Sequence, residues 1–172
     1  RRDARLRRPV KGEWELPERV REPRAKMAEP IEIGWAELVQ LPDLGLEHVR
    51  AKIDTGAATS SIHATRLNPI ETDEGLLVEF WSRVHQDEPE RMFTAPAVAR
   101  RKIKSSNGEV QLRYVIETRM RIGEFAWTGH LTLANRRAMA FPILIGRRAL
   151  ARGFLVNCSR RWMLGRPEER DS

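Results

Sequence analysis

From Ile31 onward, apolar and polar positions alternate in short runs broken by turn residues. "IEIGWAELVQL" (31–41) carries alternating apolar residues, and "PDLG" (42–45) reads as a turn. "LEHVRAKI" (46–53) places Leu46, Val49, Ala51 and Ile53 in an imperfect period-two pattern, the mark of a half-buried strand. Further β-rich runs follow at 76–84, 91–98, 110–122 and 126–134, separated by "HQDEPE", "SSNG" and "IGEF". Strands at this spacing predict an all-β domain, closed or sandwich-like, with antiparallel pairing. One short C-terminal helix is predicted over "GRRALARG" (146–153), where Ala149, Leu150 and Ala151 favour helix and Gly153 can end it. Residues 1–30 differ in texture: Pro9, Pro17, Pro23 and Pro30 punctuate a charged stretch, which reads as an extended arm ahead of a domain spanning 31–172.

Charge sharpens this division. The chain has 172 residues, with 31 Lys plus Arg against 24 Asp plus Glu, a formal charge of +7. Residues 1–30 hold +4 of that excess, which leaves the rest at only +3. A nucleic-acid binder needs a continuous basic face, so no nucleic-acid partner is expected. Apolar runs such as Phe141–Ile145 fall far short of the ~20 residues of a membrane span, so no membrane partner is expected either. The single cysteine, Cys158, excludes an internal disulfide and a Cys-rich zinc site. It fits a reducing compartment, and a cytoplasmic location is expected. The chain opens at Arg1, and Met27, just ahead of the regular pattern, is an expected alternative start.

The candidate chemistry lies in "AKIDTGAATSSIHA" (51–64). An apolar strand runs into Asp54-Thr55-Gly56, and the small residues Ala57 and Ala58 follow. Glycine permits close backbone approach, and the small residues leave room beside the carboxylate. A carboxylate at the end of a buried strand must be hydrogen-bonded or share a proton. Later, "FPILIGRRAL" (141–150) places an apolar strand, then Gly146-Arg147, then the short helix.

An apolar strand into Asp-Thr-Gly-Ala, then a later apolar-apolar-Gly-Arg entering a helix, resembles the layout of retropepsin-like aspartic proteases. The stretch 105–123 resembles the protease flap. More closely, Gly34-Trp35, Lys52–Ala64, Ser105–Thr118 and Leu131–Leu150 are similar to a bacterial family described as ATP-dependent zinc proteases. Its genes accompany RimK-type ATP-grasp ligases, which add glutamate to protein tails. The resemblance implies a closed acid-protease barrel and an aspartic endopeptidase acting on a peptide or protein. Because the sequence holds one Asp-Thr-Gly, it also implies a homodimer in which each copy supplies one carboxylate. The alternative it leaves open is a non-catalytic protease-like binding module partnering a glutamate-ligating enzyme.

By the same resemblance, Asp54, Thr55 and Gly56 form the catalytic group, Asp54 as the carboxylate and Thr55 as the residue tying two loops together. Ala57 and the flap tip Ser105, Ser106, Asn107 and Gly108 would meet substrate; Asn-Gly is also a tight-hairpin signal in its own right. Gly146 would lie beneath the Asp54 loop, with Arg147 in a structural ion pair or hydrogen bond. No cofactor and no metal are expected. There is no G-x-x-x-x-G-K-[ST] and no H-E-x-x-H, and His48, His63, His85 and His130 are dispersed. Two features depart from the viral enzymes. The acids that usually follow Asp-Thr-Gly-Ala are here Ala58 and Thr59, and the segment 68–101 is longer. Trp35, Trp81, Trp127 and Trp162 are read as packing residues. His63 is read as a locally bonded side chain and Cys158 as a buried or semi-buried apolar one, and Arg136-Arg137 as surface charge ahead of a contact for an acidic substrate such as a poly-glutamate tail.

Overall fold

The computed structural model describes residues 28–104 and 110–167. The expected arm therefore lies almost wholly outside the described residues, as does the flap tip Ser105–Gly108. Six strands close a barrel: β2 (Ala36–Leu41), β3 (Leu46–Asp54), β4 (Ser60–His63), β8 (Val110–Ile122), β9 (Phe125–Ala134) and β10 (Ile143–Gly146). Their order is β2-β3-β10-β4-β9-β8, and Gln40 of β2 pairs with Arg121 of β8 to complete the ring. Three further strands extend β8 outward: β7 (Arg91–Lys104), β6 (Gly75–Ser82) and β5 (Thr65–Thr72). This open extension is the long 68–101 segment. The described termini pair separately, β1 (Ile31–Gly34) running parallel to β11 (Phe154–Asn157). Among the described residues no helix is long and apolar enough to cross a membrane.

The imperfect alternation of β3 has a structural cause. Leu46, Val49, Ala51 and Ile53 are its buried positions, and the three-residue step from 46 to 49 falls at a bulge. His48 takes up the extra residue in a left-handed conformation, φ 53°. Below the bulge the core forms around Ile62, Ile116, Leu131, Ile143 and Ile145, all fully buried.

Pairing is less uniformly antiparallel than the sequence pattern predicts. β10 inserts between β3 and β4, parallel to β3 and antiparallel to β4, and β4 runs parallel to β9. The parallel β3–β10 pair has a direct consequence for the site: Gly146 stands opposite Asp54, so the turns that leave both strands emerge at the same end of the barrel. The helix α1 is shorter than expected, Arg147–Leu150, because the chain turns at 151–153 to enter β11. Cys158 is exposed, not buried. Asn157 Oδ1 accepts hydrogen bonds from the Ser159 N–H (3.0 Å) and hydroxyl (2.6 Å), and the resulting tight turn presents Cys158 to solvent.

The tryptophans serve packing in different ways. Trp127 is buried against Phe125 and Phe154, and Trp35 meets Phe141 edge-on. Trp81 and Trp162 instead lie under Arg66 and Arg50, at 4.6 and 5.9 Å from the ring centres.

Candidate active site

β3 delivers Asp54 to the barrel end, and the next residues fold back on its carboxylate. Oδ1 accepts the N–H groups of Gly56 (2.9 Å) and Ala57 (3.2 Å). Among the described residues nothing donates to Oδ2. The turn thus fixes the direction of the carboxylate with one oxygen and leaves the other open. A side chain at Gly56 would place Cβ 3.1 Å from Oδ1, so glycine keeps that approach clear.

The loop is held from behind by the β10–α1 junction. Gly146 passes so close beneath it that a Cβ would lie 2.6 Å from the Thr59 carbonyl and 2.9 Å from the Ala57 oxygen. The Gly146 N–H donates to Ser60 Oγ (3.1 Å), the Arg147 N–H to the Ala57 carbonyl (2.8 Å), and the Arg148 N–H to the Ala58 carbonyl (3.2 Å). The Arg147 guanidinium then reaches over the loop to the carbonyls of Thr55 (3.0 Å) and Gly56 (2.8 Å). With Ala58 and Thr59 where the viral proteases carry acids, Arg147 binds backbone instead of a carboxylate. Thr55 and Gly56 are exposed at the barrel end. The structure therefore brings together Asp54, Thr55, Gly56, Ala57, Gly146 and Arg147; the four expected flap-tip residues fall outside the described part.

Arg136, weighed from the sequence as surface charge or as a contact for an acidic substrate, lies within Coulombic reach of Asp54. Arg136 is half-buried, its Nε donating to the Phe141 carbonyl (3.3 Å) and its Nη1 to Ser61 Oγ (3.2 Å). Burial pulls its pKa below the ordinary guanidinium value, and the Asp54 charge, within Coulombic reach, opposes that shift. The backbone N–H of Arg136 donates to His63 Nδ1 (2.9 Å), so that nitrogen carries no proton. Burial lowers the His63 pKa; Glu90 opposes this, while Arg137, Arg136 and Arg83 reinforce it. On the other flank, Arg101 of β7 and Arg148 of α1 line a small cavity beside Thr59 and Ser60. Burial, then the Arg148 charge, hold Arg101 below its usual pKa. The surroundings of Asp54 are thus rich in cations. Among the described residues no three His, Cys, Asp or Glu side chains gather as a metal ion would require.

Comparison with known proteins agrees with this geometry. The family model described as RimB-like, retropepsin-like aspartic endopeptidase RimB, matches residues 32–167. Among curated proteins, a probable alpha-L-glutamate ligase of Shewanella halifaxensis is 37% identical over 141 residues, covering 80% of this chain and 30% of the relative. One from Shewanella pealeana is 39% identical over 137 residues, covering 77% and 30%. One from Parasynechococcus marenigrum is 36% identical over 135 residues, covering 76% and 28%. The chain thus spans about 30% of the length of these relatives. A crystal structure of a Legionella pneumophila protein of unknown function superposes with a TM-score of 0.66 at 26% identity, covering 77% of this chain and 97% of that one. With the Asp-Thr-Gly loop, the Gly-Arg support beneath it and the closed barrel all in place, the chain belongs to the RimB-like family of retropepsin-like aspartic endopeptidases.

Proposed function

We propose that this protein is an aspartic endopeptidase whose active site is completed by Asp54 of a second copy. The observation that carries the reading is the asymmetric Asp54 carboxylate, with one oxygen tied down by Gly56 and Ala57 and the other open at an exposed barrel end. Hydrolysis by carboxylates needs two of them sharing one proton. The ionised one takes a proton from water as it attacks the peptide carbonyl, and the protonated one polarises the carbonyl oxygen. The resulting diol collapses with cleavage of the C–N bond, and the amine leaves with a proton returned by the pair. One chain provides a single Asp-Thr-Gly, so a two-fold axis beside Asp54 supplies the other. In this reading Thr55 ties the two loops across the axis, and the Gly56 and Ala57 backbone faces substrate. Ser105, Ser106, Asn107 and Gly108, expected to meet substrate, lie outside the described residues. Residues 31–172 form the catalytic unit, with 1–30 as an arm.

The substrate class we assign is an acidic peptide. Arg147 and Arg148 hold the Asp54 loop, Arg136 lies within Coulombic reach of Asp54, and their field favours chains rich in carboxylates. The relatives named as glutamate ligases support the same class. Those names, and the fact that the chain matches only about 30% of their length, also favour a second reading, a non-catalytic module that works beside a glutamate-ligating enzyme. Asp54→Asn separates the two. It keeps the side-chain size but cannot act as a base, so hydrolysis of an acidic peptide should fall by at least about two orders of magnitude with the fold intact. Cleavage undiminished in the variant refutes the catalytic role of Asp54. A wild-type dimer that binds acidic peptides without cleaving them supports the second reading.

A further inference from the structure

A pocket of about 230 Å³ opens between the β6–β7 connection and the loop that follows β9. It lies where the His63 N–H donates to the Pro142 carbonyl (2.7 Å), whereas Asp54 stands opposite Gly146 at the other end of β10. The four residues of β10 separate the two ends by roughly 13 Å of strand. The pocket is therefore a place of its own, and its chemistry is read without reference to Asp54.

Its polar wall consists mainly of donors. Arg83 comes from the β6–β7 connection, Arg136 and Arg137 from the loop after β9, and His63 from the end of β4. His63 is only 5% exposed, and its Nδ1 accepts the Arg136 N–H, so the neutral ring carries its proton on Nε2. Among the described residues nothing accepts from that Nε2–H. A ring set in this tautomer donates to an anion and has no lone pair free for a metal ion. The Arg136 guanidinium is held in place by the Phe141 carbonyl and Ser61 Oγ. The one acid in the lining, Glu90, is bonded by Arg137 at 3.1 Å and by Arg66, which stands outside the lining and stacks 4.6 Å over the Trp81 ring. Three arginines against one glutamate leave the lining with a charge of +2. Val84, Met139 and Pro142 supply an apolar part, and Met139 is 62% exposed there.

We propose that this pocket binds a small phosphate monoester, its phosphoryl group meeting Arg83, Arg137 and the His63 Nε2–H and its organic part lying against Met139 and Pro142. Charge and shape select this class. A monoester is largely a dianion at neutral pH, with a second pKa of about 6, and so matches the charge of the lining. Its three terminal oxygens accept from several directions at once, and the donors here arrive from three separate segments of chain. A carboxylate offers one charge and two oxygens in a plane, which suits one guanidinium fork better than a converging set. The apolar residues and the size of the pocket leave room for a substituent that bare phosphate lacks. A bound monoester also joins the β6–β7 connection, part of the outer extension, to a loop of the barrel. The inference does not depend on the proposed hydrolytic activity or on its substrate.

The test is a calorimetric titration of the full chain with phenyl phosphate at constant ionic strength and about pH 7.5, where the phosphoryl group is mainly a dianion. Inorganic phosphate, benzoate and glutarate are titrated beside it. They remove in turn the substituent, the second charge and the tetrahedral group. Phenyl phosphate is expected to bind at least about tenfold more tightly than each of the three, and Arg83→Gln and Arg137→Gln are each expected to weaken it about tenfold. Arg100→Gln removes the same charge from an exposed position of β7 outside the pocket and should change the affinity by less than about twofold. Absence of binding overturns the inference. Benzoate or glutarate binding as tightly as phenyl phosphate does so too, and inorganic phosphate binding as tightly overturns the assignment of a monoester. An equal loss with Arg100→Gln also overturns it, since the overall charge of the chain would then account for the binding. If Arg137→Gln lowers the unfolding midpoint by releasing Glu90, the exposed Arg83 decides alone, and an affinity unchanged in Arg83→Gln refutes the site.

Discussion

Glu37 is fully buried, yet its carboxylate meets no cation among the described residues. It accepts three backbone N–H groups instead: Gly34 (2.7 Å) and Met163 (3.0 Å) at Oε1, and Leu164 (3.2 Å) at Oε2. These contacts clamp the segment after β11 onto β2, where the Trp35 N–H donates to the Arg160 carbonyl and the Trp162 N–H to the Ala36 carbonyl, both at 2.9 Å. Glu37→Gln keeps the shape. Its amide oxygen can serve Gly34 and Met163, but its NH2 then faces the Leu164 N–H, donor against donor. One buried donor is orphaned and two charge-assisted bonds become neutral, so the expected loss is about 1–3 kcal/mol. Glu37→Ala orphans all three donors, and about 3–5 kcal/mol is expected, less than the simple sum because water enters the space left. Urea unfolding followed by tryptophan fluorescence measures both, with Trp35 and Trp162 on the two sides of the clamp. A Glu37→Gln midpoint that corresponds to less than about 0.5 kcal/mol, at an unchanged m-value, refutes the reasoning.

Activity per chain should fall on dilution as the site dissociates, with light scattering tracking the dimer; full activity from a scattering-defined monomer contradicts the shared dyad. Gly146→Ala should cost about 1–3 kcal/mol in urea unfolding, because its Cβ would meet backbone atoms at 2.6 Å that cannot swing aside; an unchanged midpoint contradicts this. His63 should make the fold acid-sensitive. Its folded pKa lies below the unfolded value of about 6.5, so its contribution is complete above that pH and is lost as pH falls through the folded pKa, at no more than about 1.4 kcal/mol per pH unit. His63→Asn, which keeps an acceptor for the Arg136 N–H, should flatten that part of the stability profile; an unaltered profile assigns the sensitivity elsewhere.

What the sequence disclosed and what it concealed divide along a physical line. Local features were legible: the buried positions of β3, the turn at 42–45, and the small residues that let the Asp54 loop fold on its own carboxylate. The Gly146–Asp54 contact was legible only through resemblance, because the parallel insertion of β10 leaves no periodic trace in a four-residue apolar run. The break at Trp35 was not legible. The run 31–41 reads as one strand, but Gly34 meets the Arg160 backbone so closely that a Cβ would lie 2.5 Å from its oxygen, and the chain divides there between the β1–β11 pair and the barrel. Glu37 gave a signal, a charge within an apolar stretch, whose meaning depends on N–H groups 126 and 127 residues away. For Arg136 a contact with an acidic substrate was legible but its half-burial was not: a charged residue in a polar loop reads as solvated, and the Ser61 hydroxyl that its guanidinium meets is 75 residues distant.

The loss of the two acids after Asp54 and the abundance of arginine around it are best understood together. In a loop of sequence "DTGAATS" Asp54 is the one acid, and Arg147 secures the loop through carbonyls, which carry no charge to neutralise it. The cations near the site therefore keep their field. Acids at 58 and 59 would quench part of that field and repel a chain of carboxylates; alanine and threonine do neither. An enzyme for neutral peptides gains nothing from this arrangement, because a neutral chain offers no charge to answer the field of an arginine that binds only backbone carbonyls. For an acidic peptide the balance reverses. In the reading proposed above, the carboxylates of a bound acidic peptide would answer that field. On this reading the substrate class and the missing acids are one adaptation, and restoring an acid at position 58 should weaken acidic-peptide binding more than it weakens the fold.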